Sequence, residues 1–436
     1  MQGSLRYRWY VVAVLLLAGI TSYLDRNIIY LMVEPMRLTM GLTDTQVSLL
    51  EGTAFALFFL TMGMPLGALV DTRNRRNLII LGVAIWSVMT FCCGLAQTYW
   101  QLFAARMGVG FGEAILGPAA FSIIADYFEP ARRARASSVY NLSNFLGGAI
   151  AVTAGGAIIH SLGAMTMIDV PVIGPTLGWQ AAFFIAATPG IPVILALLTV
   201  REPKRTEKGV VGPTPKILPH LKRHRTAYAA IYSSYVLMTF VGLSTAAWAP
   251  TYLVRTFQLT PAKAGLLLGP VGLSAILGAL ASGWLSDRFA LSGRGGARFR
   301  TPLVGWPIML AATLGYLFAP DLWQVLLCSG IMLIGSAIIL VSCPPVLQDI
   351  TPNQLRGRAQ ALFFVFSIAI GLGIAPTAVG LVSDYVFKDP AMLRYSLAVV
   401  QLPAICIGWA VAWLGQAAYG RARQTEQAAI AAAEAR

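Results

Sequence analysis

The chain has 436 residues, of which 57% are hydrophobic and 11% carry a charge, and its mean hydropathy is +0.69. Soluble domains carry about 25% charged residues, so this composition excludes a water-soluble protein and predicts an integral membrane protein. The formal net charge of +14 does not indicate a nucleic-acid partner, because the basic residues follow the loops of a membrane topology.

Twelve apolar stretches are long enough to cross a bilayer, which requires about 20 residues. A chain in lipid must satisfy its own backbone groups, so each stretch is predicted to be a helix. The predicted spans 1 to 12 lie near residues 9–33, 45–70, 77–96, 100–127, 136–160, 179–200, 227–254, 262–287, 301–319, 323–348, 359–386 and 395–419. The first stretch is too long for a signal peptide and has no small-residue cleavage site.

Spans 1 and 4 contain charged residues far from their ends. Asp25 and Arg26 are adjacent in "TSYLDRN", and Arg106 and Glu113 lie nearly two helical turns apart in "RMGVGFGEA", which places both on one face. A charge at mid-membrane costs at least ~3 kcal/mol on insertion scales, so each is expected to have a partner. The charges either form part of an ion or substrate path or only cross-link helices.

Span 2 contains a further acid, Glu51, about two turns from its outer end. Two interpretations remain open for this residue. It lies either at the outer rim, in contact with water, or at the cavity as a second titratable acid.

The Lys and Arg residues predict the orientation. The loops between odd and even spans contain only five of the 32: Arg37, Arg255, Lys263, Lys388 and Arg394. The opposite loops and both termini are rich in them, so both termini and the central loop are predicted to be cytoplasmic. In a bacterial cell, the protein is expected in the inner membrane.

The sequence also repeats. A basic loop separates six spans from six, which predicts an N-terminal half at 1–200, a linker at 201–226, a C-terminal half at 227–420 and a cytoplasmic tail at 421–436. "GALVDTRNRR" after span 2 matches "GWLSDRF" after span 8, and "DYFEPARRARA" after span 4 matches "DITPNQLRGRA" after span 10. Matched cytoplasmic turns indicate parallel repeats, and glycine-rich stretches favour close helix packing.

These motifs resemble those of the major facilitator superfamily. "GALVDTRNRR" is similar to its signature between spans 2 and 3, "RMGVGFGEA" to its span 4 motif, and "REPKR" to the motif that closes span 6. "YLDR", "GFGEA" and "GLSTAAWAPTYL" look most like the Spinster branch. Glu51 departs from the pattern, which has a neutral residue there. The resemblance implies an all-α membrane protein of twelve transmembrane helices in two six-helix halves around a central cavity.

The resemblance implies roles for the buried charges. Spans 1 and 4 line the cavity in this superfamily, so Asp25 is expected to pair with Arg106, and Arg26 with Glu113. In Spinster-like carriers the acid matching Glu113 and the arginine matching Arg26 are linked to proton coupling and gating. We therefore expect proton coupling at Glu113, Asp25 and Arg26.

Two further sets of residues are expected to function in transport. Substrate contacts are predicted for Tyr23, Arg26, Phe55, Arg106, Glu113, Asn141, Asn144 and Trp248. A cytoplasmic gate is predicted for Asp71, Arg75, Arg76, Arg133 and Asp287, since carboxylates at helix ends can hold neighbouring helix termini or arginines. The alternative for Asp71 and Asp287 is a charge that only sets topology.

No metal or cofactor is expected. His160, His220 and His224 lie at segment ends or in a loop, which argues against a histidine metal site, and the five cysteines are scattered within apolar stretches. The sequence lacks a nucleotide-binding loop and a nucleophile–base pair, so an enzyme is not indicated.

The function predicted first is a proton-coupled secondary transporter for an amphipathic or anionic organic solute, working by alternating access as a monomer. The resemblance implies lysophospholipid or sphingoid-type lipids as a substrate class. The alternatives are an organic-anion/proton symporter for a carboxylate, with Arg26 or Arg106 as anion anchor, and a multidrug exporter. Membrane lipid is an expected partner of the basic linker.

Overall fold

The computed structural model describes residues 4–205, 217–291 and 298–434. The middle of the predicted linker, at 206–216, lies outside the described residues. Twelve helical segments in the described part of the chain are long and apolar enough to cross a membrane. This confirms the predicted all-α, twelve-span architecture of a multi-pass membrane protein.

The α-helices are α1 (Leu5–Asn27), α2 (Ile29–Met40), α3 (Asp44–Ser48), α4 (Ala54–Thr72), α5 (Arg75–Leu95), α6 (Tyr99–Glu113), α7 (Leu116–Tyr127), α8 (Pro130–Leu162), α9 (Gly178–Ala187), α10 (Gly190–Thr199), α11 (Ile217–Arg223), α12 (Arg225–Phe257), α13 (Pro261–Gly272), α14 (Ser274–Leu291), α15 (Thr301–Phe318), α16 (Leu322–Asp349), α17 (Arg356–Phe366), α18 (Ala375–Leu381), α19 (Leu393–Leu414) and α20 (Gln416–Glu434). Three π-helical segments (Leu49–Thr53, Ser367–Leu372, Val382–Phe387) and three 3₁₀ segments (Arg298–Arg300, Asn353–Leu355, Pro390–Met392) join them.

Span 1 is longer than predicted and is interrupted. It consists of α1 and α2, which meet at Ile28 and together cover Leu5–Met40. The side chain of Ser4 accepts the amide of Tyr7 at the start of α1, and Gly41, with φ of 65°, ends α2 in the left-handed region that glycine adopts readily.

The chain divides into two compact units. Unit 1 comprises Met1–Val211, Ala246–Gly272 and Ser383–Ala391; unit 2 comprises Gly212–Thr245, Leu273–Val382 and Met392–Arg436. Their limits differ from those of the predicted six-helix halves, because parts of spans 7, 8 and 11 belong to unit 1. The predicted domain limits therefore stay a prediction.

Within unit 1, glycines set the spacing of helices as the small-residue stretches predicted. A Cβ on Gly156 of α8 would lie 2.8 Å from the carbonyl oxygen of Ala262 in α13. A Cβ on Gly265 of α13 would lie 2.8 Å from the carbonyl oxygen of Val152 in α8. Real Cβ atoms do not approach backbone this closely, so this packing requires glycine.

A short hairpin in the loop between spans 5 and 6 was not predicted. Strands β1 (Met167–Val170) and β2 (Gly174–Leu177) pair antiparallel, with Met167 opposite Leu177. Val172 in the turn has a positive φ of 75° and is fully exposed. Four-residue strands are too short to produce a recognisable alternation in the sequence.

The core of unit 2 is aromatic. Trp306 of α15 is fully buried and donates from Nε1 to Ser234 Oγ at 3.0 Å, while Gly408 of α19 lies against its ring. The buried Tyr235 hydroxyl is 2.8 Å from Ser342 Oγ. These bonds satisfy the polar atoms of the large side chains, which would otherwise lie unpaired in an apolar region.

Candidate functional site

An ion pair inside unit 1 joins spans 1 and 4. Arg26 donates from Nε to Glu113 Oε2 at 3.1 Å, and its Nη2 contacts the same oxygen. The Glu113 side chain is fully buried, whereas 20% of the Arg26 side chain is exposed. The predicted Arg26–Glu113 contact is therefore present, while its role in coupling stays a prediction.

Aromatic rings surround the Arg26 guanidinium. Its central carbon lies 4.4 Å from the centroid of Phe55 and 5.2 Å from that of Tyr23, within the range of cation–π attraction. Tyr23 in turn donates its hydroxyl to Asn144 Oδ1 at 2.7 Å. Five of the residues predicted to contact substrate thus form one connected cluster around an accessible cation.

Arg106 does not form the ion pair predicted with the Asp25 carboxylate. Its guanidinium is fully buried and donates to three backbone carbonyls, those of Leu50 at 3.4 Å and of Asp25 and Arg26 at 3.2 Å. The physical reason is that span 1 is interrupted at Ile28 and span 2 is π-helical from residue 49 to 53, so carbonyls near both irregularities need donors. Arg106 caps the backbone of two spans.

Among the residues that the structure describes, the carboxyl groups of Asp25 and Glu51 are buried and have no hydrogen-bond partners. Both residues have zero exposure, and none of their four carboxyl oxygens has a partner. The Trp86 and Thr90 donors act on the Asp25 carboxyl, but neither makes a hydrogen bond to it. Glu51 is fully buried in the interior of unit 1, in the π-helical segment, without the contact with water expected at the rim or at the cavity, and its role as a titratable acid stays a prediction.

The charged residues share a structural context that the sequence analysis missed. Asp25 and Arg26 lie just before the interruption at Ile28, Glu113 is the last residue of α6, and Glu51 is π-helical. Interruptions of transmembrane helices and π-turns are frequent at functional sites.

A second ion cluster in unit 1, which was not predicted, joins the ends of several spans on the side predicted to face outward. Arg255 of α12 binds both carboxylate oxygens of Asp44 at 2.7 and 2.8 Å and Glu34 Oε2 at 3.0 Å. Arg37 binds Glu34 Oε1 at 2.6 Å. The Asp384 carboxylate accepts the amides of Asp44 and Thr45 at the start of α3. The signal in the sequence was Arg255, one of only five basic residues in the loops between odd and even spans.

On the side of unit 1 predicted to be cytoplasmic, Arg75 lies at the centre of a cluster of ion pairs and hydrogen bonds. It is buried and binds Asp126, Glu202 Oε1 at 2.7 Å, Ser122 Oγ at 2.8 Å and the carbonyl of Pro203 at 3.0 Å. The "REPKR" segment is thereby fastened to the start of α5 and to α7.

The other predicted gate residues lie around this cluster or in unit 2. The Arg76 amide donates to Glu202 Oε2 at 2.9 Å, and Arg133 donates to the Ala125 carbonyl at 2.9 Å. Asp71 and Asp287 are exposed at the ends of α4 and α14, and in the described part of the chain neither has an ion pair. The expected contact of Asp71 with arginine is replaced by Asp126 and Glu202, which bind Arg75 instead.

Unit 2 contains a matching ion pair. Arg298 binds Asp349 Oδ1 at 2.8 Å, and Tyr419 donates to Asp349 Oδ2 at 2.8 Å. The spacing along the chain between base and acid is 51 residues in both Arg75–Asp126 and Arg298–Asp349. The repeat seen in the sequence thus extends to internal contacts of the two units.

Two predicted substrate residues lie apart from the Arg26 cluster. Asn141 is exposed on α8. Trp248 is fully buried in α12, with the Arg255 guanidinium 6.0 Å from its ring centroid. Their part in substrate binding stays a prediction.

Two histidines that were not expected to bind a metal meet in unit 2. His220, His224 and Glu426 place atoms of the types that bind metal ions within 4.8 Å of one another. His224 Nε2 lies 3.3 Å from Glu426 Oε1, and His220 Nε2 lies 3.0 Å from the Ile350 carbonyl. Burial and the neighbouring His220 lower the pKa of His224. The contact fastens α20 to α11.

Comparison with known proteins gives a consistent result. The family model described as Major Facilitator Superfamily matches residues 15–376 and 257–432. An MFS-type efflux pump of Mycolicibacterium smegmatis is 26% identical, with 95% of this chain and 94% of that protein covered. A probable galactarate/D-glucarate transporter of Bacillus subtilis is 22% identical, over 91% and 90% of the two chains.

A solved structure is similar over almost the whole chain. It is the crystal structure of a bacterial homologue of the human lysosomal transporter Spinster, in an inward-facing and unoccupied conformation. The TM-score is 0.79 and the identity 26%, with 97% of this chain and 98% of that chain covered.

Proposed function

This chain belongs to the major facilitator superfamily and is a transporter of the Spinster type, and we propose that it is a proton-coupled secondary active transporter working by alternating access. Its substrate is an amphipathic or anionic organic solute, with lysophospholipid or sphingoid-type lipid favoured. The protein resides in the inner membrane with both termini in the cytoplasm, acts as a monomer, and its basic linker contacts anionic lipid.

The observation that carries this proposal is the buried Arg26–Glu113 ion pair. Ionisable groups within membrane spans are expensive and usually mark an ion or substrate path. Here the acid is fully buried while the base is partly exposed. An incoming anion can therefore reach Arg26 without first displacing Glu113.

The same pair supports a coupling mechanism. While Arg26 holds it, the Glu113 carboxylate is stabilised in its ionised form. An anionic group that draws Arg26 away leaves a desolvated carboxylate, which takes up a proton. The neutral acid no longer attracts Arg26, so α6 is released from α1 and the carrier is biased toward its other opening.

The surroundings of Arg26 support an amphipathic substrate. A phosphate or carboxylate head group is a natural partner for a guanidinium. The rings of Phe55 and Tyr23 beside it provide apolar surface for the adjoining part of the molecule. The preference for a lipid rests on the resemblance of "YLDR", "GFGEA" and "GLSTAAWAPTYL" to the Spinster branch.

Two alternatives draw support from the relatives. A carboxylate/proton symporter agrees with the name of the Bacillus subtilis relative and uses Arg26 as the anion anchor. Drug export agrees with the name of the Mycolicibacterium smegmatis relative. A lysolipid substrate requires both a head group and an acyl chain, whereas a sugar acid requires the head group alone.

Proton flux in proteoliposomes tests the proposal. Lysophospholipids, sphingosine, galactarate and a cationic dye are added in turn under an imposed pH gradient, and pH inside the vesicles is recorded. We expect lysophospholipid to elicit flux in the wild type and Glu113→Gln to abolish it. Asp169→Asn, at an exposed site in β1, is the matched control. Full pH-driven uptake by Glu113→Gln would contradict the coupling mechanism.

A further inference from the structure

Glu51 is the buried acid that the mechanism above does not use. Its residue exposure is zero, and neither carboxyl oxygen has a hydrogen-bond partner. It lies in the π-helical segment Leu49–Thr53. An ionised carboxylate in such a place would lack both water and hydrogen bonds, at a cost of several kcal/mol.

The charged groups around Glu51 come from several elements. Asp44 lies on its own span, Tyr30 on α2, Arg106 on α6 and Arg255 on α12, and all act electrostatically with the Glu51 carboxyl. Arg106 is bound to backbone carbonyls, and Arg255 is bound to Asp44 and Glu34. Neither base makes a hydrogen bond to Glu51.

The acids and bases in the interior of unit 1 do not balance in charge. The buried set comprises three acids, Asp25, Glu51 and Glu113, and two bases, Arg26 and Arg106. If all five were ionised, one negative charge would remain uncompensated in a low-dielectric region, so one acid is expected to be neutral. Glu113 has its own arginine, which leaves Asp25 and Glu51.

Of these two, Glu51 is better suited to hold a proton. The donors of Trp86 and Thr90 lie beside the Asp25 carboxyl, and a small side-chain rotation would let them stabilise its ionised form. The neutral donor that acts on the Glu51 carboxyl is the Tyr30 hydroxyl, which makes no hydrogen bond to it within the described residues, so Glu51 has one such neighbour where Asp25 has two.

The location of Glu51 also suggests a route. It is two turns, about 10 Å at 1.5 Å per residue, inward of Asp44 on the same span. Asp44 is held by Arg255 through two hydrogen bonds and by Ser383 Oγ at 2.7 Å. When these bonds are intact, the ion cluster lies between Glu51 and the outer end of its span.

We propose that Glu51 is a second proton-binding site, which holds a proton while Arg255 binds Asp44 and exchanges it with the outer side when that contact opens. The inference rests on the proposed function, because it adds a proton site to a carrier coupled through Glu113. The proton moves from water to a carboxylate oxygen and returns by the same path, so no other reactant is needed.

Infrared spectroscopy of the purified protein in nanodiscs tests this without a substrate. A protonated carboxyl group has a C=O stretch separate from that of carboxylate. At neutral pH we expect the wild type to show this band and Glu51→Gln to lose the intensity of one group. Asp169→Asn should retain it. A band of unchanged intensity in Glu51→Gln would overturn the proposal and assign the proton to another acid.

Two further variants cover folding and access. Glu51→Asp keeps a carboxyl group, so it should retain a band at a shifted frequency even if Glu51→Gln folds poorly; loss of the band would count against the assignment. Asp44→Asn weakens the bond to Arg255 and should accelerate the deuterium shift of the band in D₂O at least several-fold. An unchanged rate would overturn the outer route. Failure of coupling at Glu113 would instead appear as pH-driven uptake by Glu113→Gln, with the infrared result unaffected.

Discussion

Arg26 and Arg106 lie on adjoining spans and have different chemical tasks. Arg26 is partly exposed and binds a carboxylate and two rings, so its contacts can be exchanged for a ligand. Arg106 is fully buried and binds only backbone carbonyls in the contacts described here. The first is suited to transport and the second to holding interrupted helices.

For Arg106→Gln we expect a loss of folding stability on the order of 3 kcal/mol, because several buried carbonyls lose their donors at about 1–3 kcal/mol each. The transport rate per folded molecule should fall less than it does in Arg26→Gln. Thermal unfolding and flux, normalised to folded protein, check this. Equal losses of flux in the two variants would contradict the division of tasks.

Replacing Arg26 by Ala leaves Glu113 buried without its base. The carboxyl group should then take up a proton, so proton-driven accumulation should be lost at least as completely as in Glu113→Gln. Arg26→Lys keeps a charge but loses the planar contact with Phe55, and should weaken substrate affinity more than it affects coupling. Substrate affinity and the maximal rate of proton-driven uptake, measured for Arg26→Ala, Arg26→Lys and Glu113→Gln, check both expectations.

At the scale of helices, the informative features are their interruptions. The sequence predicted twelve spans well because apolar runs of about 20 residues are typical of membrane-crossing helices, and the depth of Arg26 and Glu113 followed from counting residues. It could not predict the break at Ile28 or the π-turn at residues 49–53, since neither depends on a proline at that position. Arg106 was therefore assigned to the Asp25 carboxylate, although the carbonyls exposed by these irregularities bind it.

The C-terminal helix α20 is predicted to loosen in acid. The folded state lowers the pKa of His224, so the neutral form is favoured there. The attachment of α20 is complete at pH values above the ordinary histidine pKa of about 6.5. It weakens as the pH falls below this value, because His224 binds a proton more readily when α20 is detached. The protection factors of amides 416–428, which correct hydrogen exchange for its intrinsic acceleration with pH, should be lower at pH 5.5 than at pH 7.5.

His224→Gln removes the titrating group and should abolish this difference, while His160→Gln, on the exposed part of α8, should not. A pH dependence that persists in His224→Gln would assign the effect to Glu426 or His220.

At the scale of the whole molecule, duplication explains which motif residues anchor the fold. Arg75–Asp126 in unit 1 and Arg298–Asp349 in unit 2 share the same spacing, and Asp126 and Asp349 begin the matched motifs "DYFEPARRARA" and "DITPNQLRGRA". The other matched acids, Asp71 and Asp287, are exposed, whereas Arg75 is buried and Asp126 and Asp349 are partly buried. A motif identifies a region, but burial decides which of its charges stabilises the fold.

We therefore expect Asp71→Asn to leave stability within about 0.5 kcal/mol of the wild type while slowing transport, as a gate contact requires. Arg75→Ala should cost roughly 3–5 kcal/mol, since it strands buried carboxylates. Thermal unfolding measures the stability of each variant, and uptake driven by a proton gradient measures its transport, so the two assays separate the two effects. An Asp71→Asn variant with unchanged transport would leave that residue a topology signal only.

The β1–β2 hairpin has a practical consequence for imaging. A carrier with so little mass outside the bilayer offers no landmark for aligning particles in electron microscopy. The hairpin is a regular element with Val172 fully exposed at its tip, and the amides of Thr166 and Gly178 hydrogen-bond to Gly163 and Thr166 at its base. A peptide epitope grafted at Val172 should thus hold an antibody fragment in a fixed orientation, on the side of the membrane predicted to be extracytoplasmic.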